Sequence, residues 1–220
     1  MRRLALLAPV APDRRPARLA VLTVGLVLYG ISNATLVLAG LGLDPWDVFH
    51  QGLSRTFGLG VGTWIVIVGA AVLLGWIPLR QRPGVGTVAN AIIIGVVVNL
   101  VLAFTPVPHG LVLRAVLMVA AVGLNAVATG LYIGAGLGPG PRDGLMTGIA
   151  ARGHSVRVVR TGIEVSVLVA GWLLGGTVGV GTVLYAAAIG PLVHLTLPLL
   201  ALRSAPPRAC PAPPLDLAAR

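Results

Sequence analysis

An ionisable side chain inside a lipid bilayer costs about 2.5 kcal/mol or more at a helix centre, so each one within an apolar run calls for a reason. Glu164 is the clearest such residue. It lies in the apolar run 157–175, roughly 11 Å deep by the helical rise of about 1.5 Å per residue. Arg160 stands four residues before it and Arg157 three before that, which puts all three on one helical face. A carboxylate so placed can bind a proton, a cation or a substrate amine, with Arg160 as its balancing charge. Two plainer readings compete: a structural ion pair that fixes the helix against its neighbours, and arginines that only anchor the helix end by snorkelling.

Two more carboxylates, Asp47 and Asp143, occupy matched places in an internal repeat. The stretch Ala39-Gly40-Leu41-Gly42-Leu43-Asp44-Pro45-Trp46-Asp47 recurs 96 residues later as Ala135-Gly136-Leu137-Gly138-Pro139-Gly140-Pro141-Arg142-Asp143, and Gly75-Trp76 recurs as Gly171-Trp172. After a one-residue slip, Gly84-Val85-Gly86-Thr87-Val88 recurs as Gly179-Val180-Gly181-Thr182-Val183. Each Asp falls in the first turn of a short helix opened by Pro45 or Pro141, over Trp46 to Phe57 and Arg142 to Gly153. It serves there as a helix cap worth about 1 kcal/mol, or as part of a site. Arg142 is matched by Trp46, so such a site is chemically asymmetric. His194 is matched by Asn99 and Tyr185 by Asn90. Buried polar groups of this kind either link helices or line a path. Gly190-Pro191 is placed to break the last apolar run, and Thr87 and Thr182 are placed to cap the third and sixth runs. Tyr29, Ser32, Asn33, Asn125, Thr129 and Tyr132 could add polar lining. The candidates for a substrate or ion pathway are thus Asp47, Asp143, Arg142, Arg160, Glu164, His194 and Asn99.

The elements that position these residues follow from composition. With 56% hydrophobic and 10% charged residues and a mean hydropathy of +0.95, the chain cannot cover a soluble globule. Six apolar runs, near 19–39, 62–79, 86–104, 111–134, 157–175 and 180–202, approach the roughly 20 residues that cross a bilayer. They are continuously apolar, unlike alternating barrel strands. The expected fold is an all-α membrane protein of six transmembrane helices, with a short Pro/Asp-initiated helix after the first span of each repeat. Three spans per repeat is an odd number, so the halves enter the membrane in opposite senses and form an inverted-topology pair. Asp47 then approaches the bilayer centre from outside and Asp143 from inside. The short helices are re-entrant or lie on the surface.

The expected organisation is a cytoplasmic Arg-rich tail (1–18), a first repeat (19–104), an extracytoplasmic linker (105–110), a second repeat (111–202) and a disordered cytoplasmic tail (203–220). The net charge of +10 comes from 16 Arg and no Lys. Arginines cluster before the first span, at Arg80 and Arg82, at Arg142 and Arg152, and after the last span. The opposite loops hold little beyond Arg55 and Arg114, so both termini are expected in the cytoplasm. Residues 4–10 read as part of an uncleaved tail, because Asp13, Arg14 and Arg15 follow at once.

Several function classes are disfavoured. The single cysteine, Cys210, permits no intramolecular disulfide and no Cys-based metal site. The four His lack zinc-ligand spacing, and there is no acidic cluster for a magnesium-bound diphosphate. Gly84-Val85-Gly86 follows no strand, and without any Lys there is no Walker-type phosphate loop. No metal, cofactor, nucleic acid or enzymatic reaction is expected.

Leu43-Asp44-Pro45-Trp46-Asp47-Val48, Pro83-Gly84-Val85-Gly86-Thr87, Gly136 to Met146 and Ile163-Glu164 together resemble the YczE/YitT-type bacterial integral membrane proteins, over about Gly25 to Leu202. The resemblance implies six spans in a bacterial cytoplasmic membrane, and neither a substrate nor catalytic residues. Two functions are therefore carried forward. One is a secondary transporter or channel for a small molecule or ion. The other is a non-transporting membrane partner that stabilises or regulates another membrane complex. The lipid bilayer is the one certain partner, and homo-oligomerisation is allowed for.

Overall fold

A computed structural model describes residues 15–202. The expectations for residues 1–14, for the 203–220 tail and for Cys210 lie outside the described residues. Eight helices follow in order: α1 (Arg15–Ala39), α2 (Pro45–Phe57), α3 (Val61–Leu79), α4 (Val85–Phe104), α5 (Leu111–Gly134), α6 (Pro141–Ala150), α7 (Val156–Leu173) and α8 (Val180–Leu200). Among the described residues five of them, α1, α3, α4, α5 and α8, are long and apolar enough to cross a membrane. The run expected as a fifth span does not join them: α7 is 18 residues long, but Arg157, Arg160 and Glu164 place three charges within that length. Helix α1 begins at Arg15, which draws Arg18 out of the expected tail and into the helix.

The two short helices start as the Pro residues dictate, but capping differs from expectation. Asp44 is the N-cap of α2, its side chain accepting from the Trp46 and Asp47 backbone N–H groups at 2.9 and 3.2 Å. Gly140 holds that position in α6 and offers no side-chain acceptor. Asp47 and Asp143 sit in the first turn, free for other partners. Thr87 and Thr182 do cap the starts of α4 and α8 as expected, from three residues inside each helix, where their hydroxyls accept from the Gly84 and Gly179 N–H groups. Helix α8 runs unbroken through Pro191 and Pro198. Prolines are tolerated in apolar helices where neighbouring groups satisfy the freed carbonyls.

The repeats pack reciprocally. Helices α1 and α5 lie side by side at the centre, with α4 against α1 and α8 against α5. The short helices cross over, α2 onto α7 and α6 onto α3. The Gly181 N–H donates to Leu41 O and the Gly86 N–H to Leu137 O, both at 2.9 Å. Gly42 and Gly138 hold φ of +124° and +118°, which favour glycine, and a side chain at either would strike Thr182 or Thr87. Arg18 donates to Ala135 O at 2.8 Å, while Arg114, 96 residues on, donates to Ala39 O and Gly40 O. Each guanidinium thus serves the unpaired carbonyls at the C-terminus of the other repeat's first helix.

One contact breaks this reciprocity. Helix α3 packs along α4, whereas α7 and α8 stand apart. At Gly62 and Gly95 the α3 and α4 backbones approach so closely that a Cβ on either would strike the other's carbonyl oxygen. Asn99 accepts from the Gly62 N–H and donates to Thr63 Oγ1, both at 2.9 Å. In the second repeat Val158 occupies the place of Gly62 and is exposed, and nothing lies within 4 Å of the Cβ position at Gly190, the equivalent of Gly95.

Candidate functional site

The gap between α7 and α8 is a cavity of about 290 Å³, closed on its other sides by α5, α6 and the Asp44–Trp46 segment. Arg142, Asp143, Arg160, Glu164 and His194 line it together with Asp44, Trp46, Thr129 and the tyrosines 29, 132 and 185. Five of the seven pathway candidates therefore meet in one space. Asp47 lines a second cavity of about 30 Å³ between α3 and α4, with Asn33, His50, Val68 and Asn90. That volume holds little more than a water molecule or two. Asn99 lines neither; its amide is taken up by the α3–α4 seam.

The two cavities are repeat equivalents. Asn33, Asp47, His50, Val68, Asn90 and Ile94 line the small one, and the matching Thr129, Asp143, Met146, Glu164, Tyr185 and Ile189 line the large one. Trp46 and its match Arg142 line both. The same construction is thus almost shut in one half and open in the other.

Arg142 stands between them in the first turn of α6, directly after Pro141, from where its side chain reaches α1 and the N-cap of α2. Its Nη2 donates to Tyr29 OH at 2.7 Å, and its Nη1 reaches Asp44 Oδ1 at a long 3.5 Å. The guanidinium lies over the Tyr29 and Trp46 rings at 5.9 and 5.7 Å, an additional cation–π attraction. Tyr132 OH donates to Asp143 Oδ2 at 2.9 Å, and its ring meets that of Tyr29 edge to face. Tyr185 OH donates to Asn125 Oδ1, whose amide donates to Asn33 Oδ1, so a hydrogen-bonded chain links α8, α5 and α1. Arg160 Nε pairs with Glu164 Oε1 at 2.9 Å on the cavity rim, with the arginine side chain 56% exposed.

The carboxylates of α2 are poorly compensated. Burial raises Asp44 to about 7, reinforced by the neighbouring Asp47 and opposed by Arg142. Burial also raises Asp47, again against Arg142. His50 Nδ1 lies 3.1 Å from Asp47 Oδ1, yet burial first and Arg142 second push its imidazole down to about 3, so it brings no positive charge. Three buried polar atoms here lack any hydrogen-bond partner: Asp44 Oδ2, Asp47 Oδ2 and Trp46 Nε1. Such atoms cost about 1–3 kcal/mol each and mark places built for something further.

Asp44 and Trp46 were not among the sequence candidates, and Tyr185 entered only as the match of Asn90. The available signal for Asp44 was its place before Pro45, the Asx-Pro opening of a helix.

Sequence comparison agrees with a membrane protein. The chain is 39% identical over 184 residues to an uncharacterized protein of Haemophilus influenzae, covering 83% of this chain and 84% of the relative. It is 37% identical over 179 residues to the uncharacterized membrane protein YczE of Bacillus subtilis, covering 79% and 82%. A more distant relative, the uncharacterized protein YyaS of Bacillus subtilis, is 26% identical over 184 residues, covering 80% and 90%. No solved structure matches the chain. The family model of DUF6198, a family of unknown function, matches residues 16–198, and the chain is a member of that family of polytopic membrane proteins.

Proposed function

We propose that this protein is a secondary transporter or channel for a small molecule or ion, not an enzyme, acting in a bacterial cytoplasmic membrane with both termini on the cytoplasmic side. The observation that carries the reading is the pair of repeat-equivalent cavities, one large and charged and the other nearly shut. In transporters built from inverted repeats, substrate sites lie at the repeat interface, and access alternates when one half adopts the packing of the other. Here the counter-state would part α3 from α4 at Gly62 and Gly95, and close α7 on α8.

A six-span inverted arrangement suits this reading, with α7 as the remaining span. At 18 residues α7 covers about 27 Å, close to the hydrocarbon thickness. Two of its three charges, Arg160 and Glu164, pair with each other beside the cavity, and Arg157, in the first turn, can snorkel to the membrane interface. Helices α2 and α6 then act as half-helices that bring Asp44, Asp47, Arg142 and Asp143 to the interface. The arginine distribution supports the cytoplasmic placement of the termini.

The test is flux through the full-length protein in proteoliposomes, screened by membrane electrometry against amines, amino acids, organic acids and inorganic ions. The expected result is a current for one class that Arg142→Gln and Glu164→Gln remove while folding persists. Currents indifferent to both substitutions, or none for any class, would contradict it.

A further inference from the structure

The geometry points to a proton-carrying carboxyl pair: Asp44 and Asp47 share one exchangeable proton, which is the coupling ion of the transport reading above and rests on it. Both residues are buried to 1% exposure, and each keeps one oxygen without a partner. The two carboxyl groups are neighbours in the first turn of α2, where the Asp47 N–H donates to Asp44 Oδ1 at 3.2 Å, and each acts on the other's charge. A single O–H shared between the two carboxyls would give an orphaned oxygen its partner. Only O–H bonds are made and broken, the proton coming from water and returning to it.

Charge balance leads to the same place. The titratable groups facing the pair are His50 on α2, Arg142 on α6, Tyr29 on α1 and Tyr185 on α8. The parts of α3 and α4 that line the small cavity offer none. With the tyrosines and His50 neutral, two carboxylates confront one guanidinium, and one proton restores balance in a setting where an uncompensated charge is expensive. Burial is also what lifts Asp44 toward neutral pH, where a proton can come and go.

Position makes the proton a coupling ion. Asp44 lines the large cavity and Asp47 the small one, so the pair bridges the two spaces that would alternate in access. Arg142 borders both and holds Asp44 only at 3.5 Å. A substrate group that draws this guanidinium into the large cavity strips the pair of its counter-charge and favours protonation, linking the two loads.

Infrared spectroscopy of the full-length protein in lipid tests the pair without any substrate. Between about pH 5 and about pH 9 the wild type should show the carbonyl stretch of a protonated carboxylic acid, lost as pH rises through neutrality. Asp44→Asn and Asp47→Asn should each abolish it, Asp143→Asn should not, and Arg142→Gln should move its loss to higher pH. No such band in the wild type, or a band that survives both Asp44→Asn and Asp47→Asn, overturns the pair. Once flux is in hand, a pH gradient should drive accumulation by the wild type and not by Asp44→Asn. Accumulation indifferent to the gradient overturns the coupling role. An intact band with no flux for any class overturns the transport reading, and coupling with it.

Discussion

Gly95 and Gly190 are repeat equivalents in opposite surroundings, so the same substitution should be costly at the first and close to neutral at the second. At Gly95 a new methyl would meet the Gly62 carbonyl oxygen and lie 2.6 Å from Val66 Cγ2. The carbonyl is backbone, so relief requires α3 and α4 to separate. Overpacking of this kind costs about 1–3 kcal/mol, against which alanine returns roughly 1 kcal/mol of helix propensity. Contacts this short fall in the upper part of that range, so Gly95→Ala should destabilise by about 1–2 kcal/mol. At Gly190 nothing beyond the chain neighbours and the helix's own backbone lies within 4 Å, but a Cβ there crowds the ring of Pro191, which offsets the roughly 1 kcal/mol propensity gain, so Gly190→Ala should be close to neutral. The difference of about 1–2 kcal/mol is measurable by SDS-titrated unfolding in mixed lipid–detergent micelles. Equal effects, or a greater loss at Gly190, would show that α7 and α8 pack as tightly as α3 and α4 and would refute the asymmetry.

Other consequences can be checked on the same preparation. Arg114→Met removes two charge-assisted bonds to the end of α1 and should cost about 2–4 kcal/mol, less than two full bonds because the side chain is partly exposed. Asn99→Ala should cost about 1–2 kcal/mol in unfolding by loosening the α3–α4 seam, whereas His194→Ala should lower flux at little cost in stability. Asp44 is raised from 3.8 to about 7 in the folded protein, so its contribution to stability is complete below 3.8 and is lost as pH rises through about 7. Unfolding midpoints should therefore fall across that interval, with the slope reduced in Asp44→Asn.

Much of the architecture was legible because bilayer chemistry leaves few options. Long apolar runs must be helices, and Pro45 and Pro141 begin short ones at matched positions. Glu164 and Arg160 could be paired from their four-residue spacing alone. What escaped was what depends on packing between repeats. Arg18 and Arg114 read as markers of membrane sidedness, because a charge near a span end usually is one; only their 96-residue separation hinted at matched roles as helix caps. Asp44 was passed over because repetition was the guide, and Gly140 stands in its matched place. Asn99 looked equivalent to His194, yet one half closes around its residue and the other leaves it at a cavity. Sequence symmetry carries no information about which half is shut, since that rests on a small free-energy difference between two packings of similar segments.

Val68 and Glu164 are repeat equivalents that line the small and the large cavity. Replacing each in turn by cysteine, after Cys210 has been substituted, and treating the protein in lipid vesicles with a charged thiol reagent asks directly whether one half is open and the other closed. Rapid labelling at 164 with position 68 protected is the predicted result. A sealed position 164, or equal labelling at both, would contradict a one-sided charged cavity between the two repeats.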